Sequence, residues 1–179
     1  MANYVYVAAS LDGFIATNNG GLEWLDEIPN PEQSDYGYAE FMTGIDAIVM
    51  GRKTFEKVLS FGSWQYDVPV FVISNSVRTI PKELGEKVEI VNGELRQLVS
   101  TLGERGYENL YIDGGKTIQS FLEEALIDEI IITRVPILLG DGIPLFGKLA
   151  QQQRFTHNDS EIFNNGLVKS YYIKLKDRL

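Results

Sequence analysis

The most restrictive feature of this chain is a short apolar run with a sharp end. Ala47-Ile-Val-Met50 reads as a buried strand, stops at Gly51, and gives way to Arg52-Lys53-Thr54, which open a helix. An apolar strand that feeds straight into a helix belongs to a layered α/β sheet covered on both faces. The same turn makes a place for an anion. The first N–H groups of a helix have no partner within it, and the macrodipole puts partial positive charge there. Gly51 lets a ligand come close, Arg52 and Lys53 add two charges, and Thr54 adds a hydroxyl. An ordinary strand–helix turn with two solvated cations would use the same residues, so the rest of the chain has to decide.

Strands and helices alternate along most of the length. Tyr4–Ala9, Val68–Ile73, Val88–Val91, Leu110–Ile112 and Ile127–Pro136 read as strands. Helices are expected over Asp35–Thr43, near Lys53–Ser60, over Glu94–Glu104, and through Ile118, Phe121, Leu122 and Ala125. Ser10–Gly21 and Leu139–Phe146 read as Gly-rich loops. The first carries Leu11, Phe14 and Ile15, as a binding loop or a pinned surface excursion would. Arg154–Phe163 and Leu167–Leu175 read as two strands about an Asn165-Gly166 turn.

The 179 residues suit one core. The expected fold is therefore α/β, a single three-layer domain over residues 1–179. Its central sheet is mostly parallel, with helices on both faces and an antiparallel C-terminal hairpin. Ligands of such sheets lie beyond the C-terminal strand ends. Ser10–Gly13, Gly51–Thr54, Ser74–Ser76 and Asp113–Thr117 are expected on that rim.

A net charge of −9 argues against nucleic acid or an anionic membrane as partner. An acidic protein that binds an anion must concentrate its cations, which singles out Arg52-Lys53. The absence of cysteine excludes disulfides, thiol nucleophiles and cysteine zinc sites. The single histidine, His157, sits in a polar run and is assigned a structural or solvent role; no metal is expected. No apolar run approaches the roughly 18 residues of a membrane span, and the start lacks the pattern of a signal peptide. A cytoplasmic location is expected.

Two familiar phosphate loops fail. Gly115-Lys-Thr117 resembles the end of a P-loop, but Leu110 stands where that motif needs glycine. Gly140-Asp-Gly142 lacks its third glycine, because Leu145 stands there, and it lies at the wrong end of the chain for a Rossmann fingerprint. What remains is two separate phosphate-type turns with a Ser/Asn/Ser turn between them. A dinucleotide with a 2′-phosphate suits that rim. Arg52 would take the 2′-phosphate with help from Ser74, Asn75 or Ser76, and Gly114-Gly115 would cradle the pyrophosphate.

Six segments carry a resemblance to a known family. They are Ala9-Ser-Leu-Asp-Gly-Phe-Ile-Ala16, Ile48-Val-Met-Gly-Arg-Lys-Thr-Phe55, Val72-Ile-Ser-Asn75, Ile112-Asp-Gly-Gly115, Leu126-Ile-Asp-Glu129 and Pro136–Phe146. In this order they resemble the dihydrofolate reductase-like superfamily. The branch they are most similar to is the reductase domain of the riboflavin-biosynthesis deaminase/reductase. The resemblance implies an NADPH-dependent reductase of a small heterocycle. The substrate would be 5-amino-6-(5-phosphoribosylamino)uracil-like or dihydrofolate-like; a non-catalytic NADPH-binding module is the alternative. It implies cofactor contacts from Gly51, Arg52, Lys53, Thr54, Ser74, Asn75, Gly114, Gly115, Lys116 and Thr117, with Ala9 and Ile15 beside the nicotinamide.

The folate-type carboxylate is the point of departure. Counting back from Gly51 reaches Asp35, while aligning the helix through Phe41 reaches Gly37. The Ser-Leu-Asp-Gly loop instead favours the riboflavin-type branch, which makes Asp12 the better candidate for contact with the substrate or its proton. A backbone-bonding turn would explain Asp12 equally, and a helix N-cap would explain Asp35. Trp24, Phe41 and Thr133 are candidates for the substrate cleft, with core packing as the other reading of Trp24 and a sheet bond as that of Thr133. Asp141 is read as structural. No segment resembles the deaminase domain, which leaves room for a different substrate. A homodimer is expected, with Ile127–Pro136 and the C-terminal hairpin as candidate contributors.

Overall fold

A computed structural model describes residues 1–76 and 79–175. Ten strands and four α-helices follow in this order: β1 Ala2–Ser10, β2 Phe14–Ala16, α1 Tyr38–Thr43, β3 Ala47–Gly51, α2 Arg52–Leu59, β4 Val70–Ile73, β5 Val88–Val91, α3 Leu95–Glu104, β6 Asn109–Asp113, α4 Gly115–Glu123, β7 Glu129–Val135, β8 Ile143–Pro144, β9 Phe155–Ile162 and β10 Val168–Lys174. Eight of the strands form one sheet in the order β5-β4-β3-β6-β1-β7-β10-β9.

From β5 to β7 every neighbour is parallel; β10 turns antiparallel to β7, and β9 to β10. The chain steps outward from β3 to β4 and β5, then returns to insert β6 between β3 and β1. The C-terminal ends of β1, β3, β4 and β6 therefore share one rim, as the alternation of strands and helices requires.

The two sheet faces carry separate cores. Leu98, Val99 and Leu102 of α3 and Ile118, Phe121 and Leu122 of α4 pack with Val5, Ala9, Val49 and Ile112. On the other face Phe55 and Val58 of α2, with Tyr38 and Phe41 of α1, pack with Ile48, Met50 and Tyr111. Ala47 to Met50 are wholly buried because both faces of β3 are covered.

Several boundaries differ from the sequence expectation for local reasons. The fourth strand begins at Val70 rather than Val68, because Pro69 has no N–H for the ladder. The loop over Ser10–Gly21 is not structureless. Its Phe14–Ala16 pairs antiparallel with Ile143–Pro144 of the second Gly-rich loop. The C-terminal hairpin turns at Asn165-Gly166, with Gly166 at φ +88°. The strand over Ile127–Pro136 is hydrogen-bonded on both edges, and β5 and β9 are the two outer strands of the sheet. His157 Nε2 lies 2.8 Å from Ser160 Oγ, and its ring stands edge-on to Tyr172.

Candidate functional site

The strand–helix turns after β3 and β6 lie against each other. A β-carbon at Gly51 would fall 2.8 Å from Thr117 Oγ1, and one at Gly114 would run into the side chain of Thr54. Each turn thus seats the threonine from the third position of the other turn's helix. Neither α2 nor α4 has a side-chain N-cap, and neither carries an acid in its first turn. Two helix N-termini with first-turn N–H groups uncapped by side chains therefore stand side by side, which is a donor set for phosphate oxygens.

Arg52 and Lys53 are exposed at the start of α2, and Lys116 is exposed at the start of α4. Among the described residues Arg52 is engaged only with Glu56 one turn on, at 3.5 Å, an exposed pair that costs little to release. Ser74 is buried at the end of β4, and its Oγ accepts from Ser76 N at 3.1 Å; Asn75 is exposed beside it. The structure therefore gathers Gly51, Arg52, Lys53, Thr54, Gly114, Gly115, Lys116 and Thr117 at one corner, with Ser74, Asn75 and Ser76 on the next strand end. These residues fit a phosphorylated dinucleotide.

The loops from β1 and β7 cover this corner. Ile15 lies over Gly115, where a β-carbon would meet Ile15 Cδ1 at 2.5 Å. Ala9 is fully buried in β1, opposite Arg134 of β7. Asp12 is a clasp between the loops. It accepts from Ser10 Oγ at 2.5 Å, Gly140 N at 2.7 Å and Leu139 N at 3.2 Å. The Ser10 hydroxyl and the two backbone N–H groups hold its carboxyl below the usual aspartate range. Asp141 accepts from Asn18 Nδ2 at 2.7 Å across the same pair of loops.

A cavity of about 480 Å³ opens on the α1 side of the sheet. Tyr6 and Ala8 of β1, Thr133 and Val135 of β7, Asp35 and Tyr36 are among its walls. Asp35 and Thr133, both picked out by sequence, thus meet at one cavity, while Asp12 does not line it. Asp35 also caps α1, accepting from Gly37 N at 2.9 Å and Ala39 N at 2.8 Å. Those bonds, that of Ala39 foremost, keep its carboxyl below the usual range. Phe41 lines a neighbouring cavity of about 370 Å³ and packs on Tyr6, ring centroids 4.7 Å apart. Trp24 is buried behind the first cavity with Val135 and Leu167, and its Nε1 has no partner.

Two residues that the sequence reading assigned no role define this side. Asp113 ends β6 on the aromatic face. Burial pushes its carboxyl up, against the opposing bonds from Gly114 N and the Tyr111 hydroxyl. Its charge in turn helps raise the hydroxyls of Tyr38, Tyr66 and Tyr111, where burial is the larger cause. Period-two alternation was the available signal, since Leu110 and Ile112 on one face put Tyr111 and Asp113 on the other.

Lys169 is the second, 3% exposed. Its Nζ donates to Tyr36 O at 2.6 Å and pairs with Glu161 at 2.7 Å, while Tyr6 OH donates to the same Tyr36 carbonyl at 2.8 Å. Tyr36 is held at φ +55° there, with its OH accepting from Asn165 Nδ2 at 2.7 Å.

Residues 4–169 match the family model of the RibD C-terminal domain. The chain belongs to the RibD C-terminal domain family. A solved structure from Shewanella sp. PV-4, whose name assigns it provisionally to riboflavin biosynthesis, is 46% identical. It superposes with a TM-score of 0.94 over 98% of this chain and 100% of that one. The uncharacterized protein YwjB of Bacillus subtilis (strain 168) is 33% identical over 95% of this chain and 96% of its own length. The Thermotoga maritima diaminohydroxyphosphoribosylaminopyrimidine deaminase/5-amino-6-(5-phosphoribosylamino)uracil reductase shares the fold at 15% identity. Its TM-score is 0.72 over 97% of this chain and 56% of that one. Membership of the RibD C-terminal domain family makes this a reductase-type fold. Among the described residues no helix is long and apolar enough to cross a membrane, and no cluster of three or more His, Asp or Glu could hold a metal.

Proposed function

We propose that this RibD C-terminal domain protein is an NADPH-dependent reductase of a small heterocyclic substrate. The observation that carries the reading is the pair of helix N-termini, without side-chain caps, at the ends of β3 and β6, on the sheet whose β1 and β7 wall the cavity. Family membership supports it, because relatives with this fold include a named uracil reductase.

Bound NADPH would supply a hydride. The protein's part is to bind, orient and hold the proton. Arg52, with Ser74, Asn75 and Ser76, takes the 2′-phosphate by charge-assisted hydrogen bonds. Gly51, Lys53 and Thr54 face Gly114, Gly115, Lys116 and Thr117 across the pyrophosphate. Ile15 borders the nicotinamide, with Ala9 buried in the strand beneath. Asp35 and Thr133 orient the heterocycle through its polar edge, and the apolar walls exclude water. Asp113 ends β6 outside the lining of both cavities, and burial favours its protonated form, so it is assigned as a proton reserve on the rim rather than a group in contact with the substrate. Asp12, held ionised by three donors, is a poor proton source and serves to close the loops.

Calorimetric titration with NADPH and NADH, followed by substrate-dependent loss of the cofactor's near-ultraviolet absorbance, tests this reading. NADPH-selective binding and turnover are expected. Tight NADPH binding with no oxidation across a heterocycle panel would favour the non-catalytic module, and failure to bind either nucleotide would refute the cofactor assignment. We also propose a homodimer, with Ile127–Pro136 and the C-terminal hairpin as the contributing elements, and sedimentation equilibrium tests it.

A further inference from the structure

We propose that Asn165, at the tip of the C-terminal hairpin, is a positioning residue for the substrate: its side-chain amide straps residues 29–36 to the sheet and so fixes where Asp35 stands. The proposal rests on the reductase reading above. Asn165-Gly166 reads in the sequence as a turn and nothing more, because the long-range partners of Asn165 lie 136 and 129 residues earlier.

Residues 29–35 form neither helix nor strand and are all exposed, so apolar burial does not hold them in place. Asn30 and Ser34 bond to one another twice, at 2.9 Å each, which closes the segment on itself but ties it to nothing else. Among the described residues, the hydrogen bonds that leave this stretch for the rest of the chain beyond the start of α1 go to three side chains, Asn165, Lys169 and Tyr6. Lys169 and Tyr6 hold a single point, the Tyr36 carbonyl. Asn165 spans the segment. Its Nδ2 donates to Pro29 O at 3.1 Å and to the Tyr36 hydroxyl at 2.7 Å, one hydrogen for each end. Its Oδ1 accepts from Leu167 N at 3.4 Å, so the hairpin itself orients the amide.

The backbone gives a second, independent observation. Gln33 and Tyr36 stand at φ +51° and +55°, left-handed conformations that residues with side chains avoid. Such residues persist where their surroundings over-determine them. At Tyr36 they do. Its ring stands edge-on to Phe163 with centroids 5.0 Å apart, its carbonyl takes two donors, and its hydroxyl takes Asn165. Asp35 precedes this strained residue directly, and Tyr36 walls both cavities. Freed from Asn165, Tyr36 relaxes toward an ordinary conformation and Asp35 leaves its place at the cavity wall. The cofactor corner is built from the ends of β3 and β6 and does not share this support.

Asn165→Ala in the full chain tests the proposal, with 5,6-diaminouracil and dihydrofolate as ring probes, titrated with and without saturating NADP⁺. The ring that the wild type binds is expected to bind about tenfold more weakly to the variant, the worth of one or two hydrogen bonds, while NADPH binding stays within about twofold. Hydrogen exchange at the Gly37 and Ala39 amides, which donate to Asp35, is expected to speed up by roughly tenfold, with the β7 amides unchanged. Tyr36→Phe removes one of the two long-range Asn165 bonds. Asn165→Ala should therefore cost less ring binding in that background than in the wild type, which a defect confined to the hairpin turn would not produce. Unchanged ring binding in Asn165→Ala, equal losses of ring and NADPH, strict additivity with Tyr36→Phe, or a wild type that binds neither ring overturns the proposal. Ring binding that depends on Asn165 in a protein that binds no NADPH would instead sink the reductase reading and leave the strap standing.

Discussion

Gly114 and Thr54 are packed so closely that the β-carbon of any other residue at Gly114 would stand 3.2 Å from Thr54 Cβ and overlap its hydroxyl. Gly114 also sits at φ +90°, ψ 133°, where side-chain-bearing residues are strained. Gly114→Ala is expected to destabilise the fold by about 2–4 kcal/mol, from backbone strain plus this contact. Thr54→Ala in the same chain should recover the contact part alone. Denaturant unfolding of the two single variants and the double variant measures the coupling; strict additivity would show that the two turns do not bear on one another.

Arg52 is the cation available for a 2′-phosphate at the end of β3. Arg52→Ala is expected to weaken NADPH binding about 10- to 100-fold, the worth of one or two charge-assisted bonds. NADH binding should not change, because the exposed Arg52–Glu56 pair contributes little to the fold. Parallel titrations decide it, and an equal loss for both nucleotides would move the 2′-phosphate elsewhere.

These two tests probe what the sequence showed best. The run Ala47–Met50 was legible because both of its faces are buried, so its pattern is continuous and its end sharp. The four rim turns followed from parallel order alone. The β2–β8 pairing was not legible, because a three-residue strand against a two-residue one carries no periodicity. Nor was the role of Asp12, whose partners Leu139 and Gly140 lie more than a hundred residues away. Lys169 carries no signal in the sequence, since its burial by Tyr36 and Phe163 is a tertiary event. Asp35 was read as a substrate carboxylate or as a helix N-cap; the structure puts Gly37 at the N-cap position, with Asp35 two residues earlier accepting from Gly37 N and Ala39 N while lining the cavity.

Asp113→Asn tests the stored proton. Burial raises this carboxyl above its ordinary 3.8, so the folded chain holds the proton to higher pH than the unfolded chain. The associated stability is fully present below 3.8 and is lost as pH rises through the folded value. The wild type should therefore lose stability across that window and the Asn variant should not, as thermal melts against pH will show. In turnover, the wild-type rate should fall as pH rises through the folded value. The Asn variant should be slower by about 10²–10⁴-fold and lose that limb. A variant with a wild-type rate and profile would assign the proton to another donor.

Lys169 holds the segment that carries Asp35. Burial, the largest single cause, would lower its pKa, but Glu161, Tyr171 and Tyr6 together outweigh it and hold the ammonium above its ordinary 10.5. Stability from this group is thus fully present below 10.5 and is lost as pH rises through the folded value. Tyr6 and Tyr38, both pushed up to about 12, lose stability in the same direction, so the Lys169 share appears only as a difference between proteins. Lys169→Met should reduce the alkaline slope of unfolding free energy by up to one proton. It should also leave the Tyr36 carbonyl with only the Tyr6 hydroxyl as donor, at a cost of about 1–3 kcal/mol at neutral pH. Because the residue reaches the cavity through Tyr36, binding of the heterocyclic substrate should weaken while NADPH binding is unchanged. Urea melts at pH 7 and above pH 10.5, paired with the two titrations, separate these effects. Equal losses for both ligands would mean that Lys169 supports the whole fold rather than the segment around Asp35.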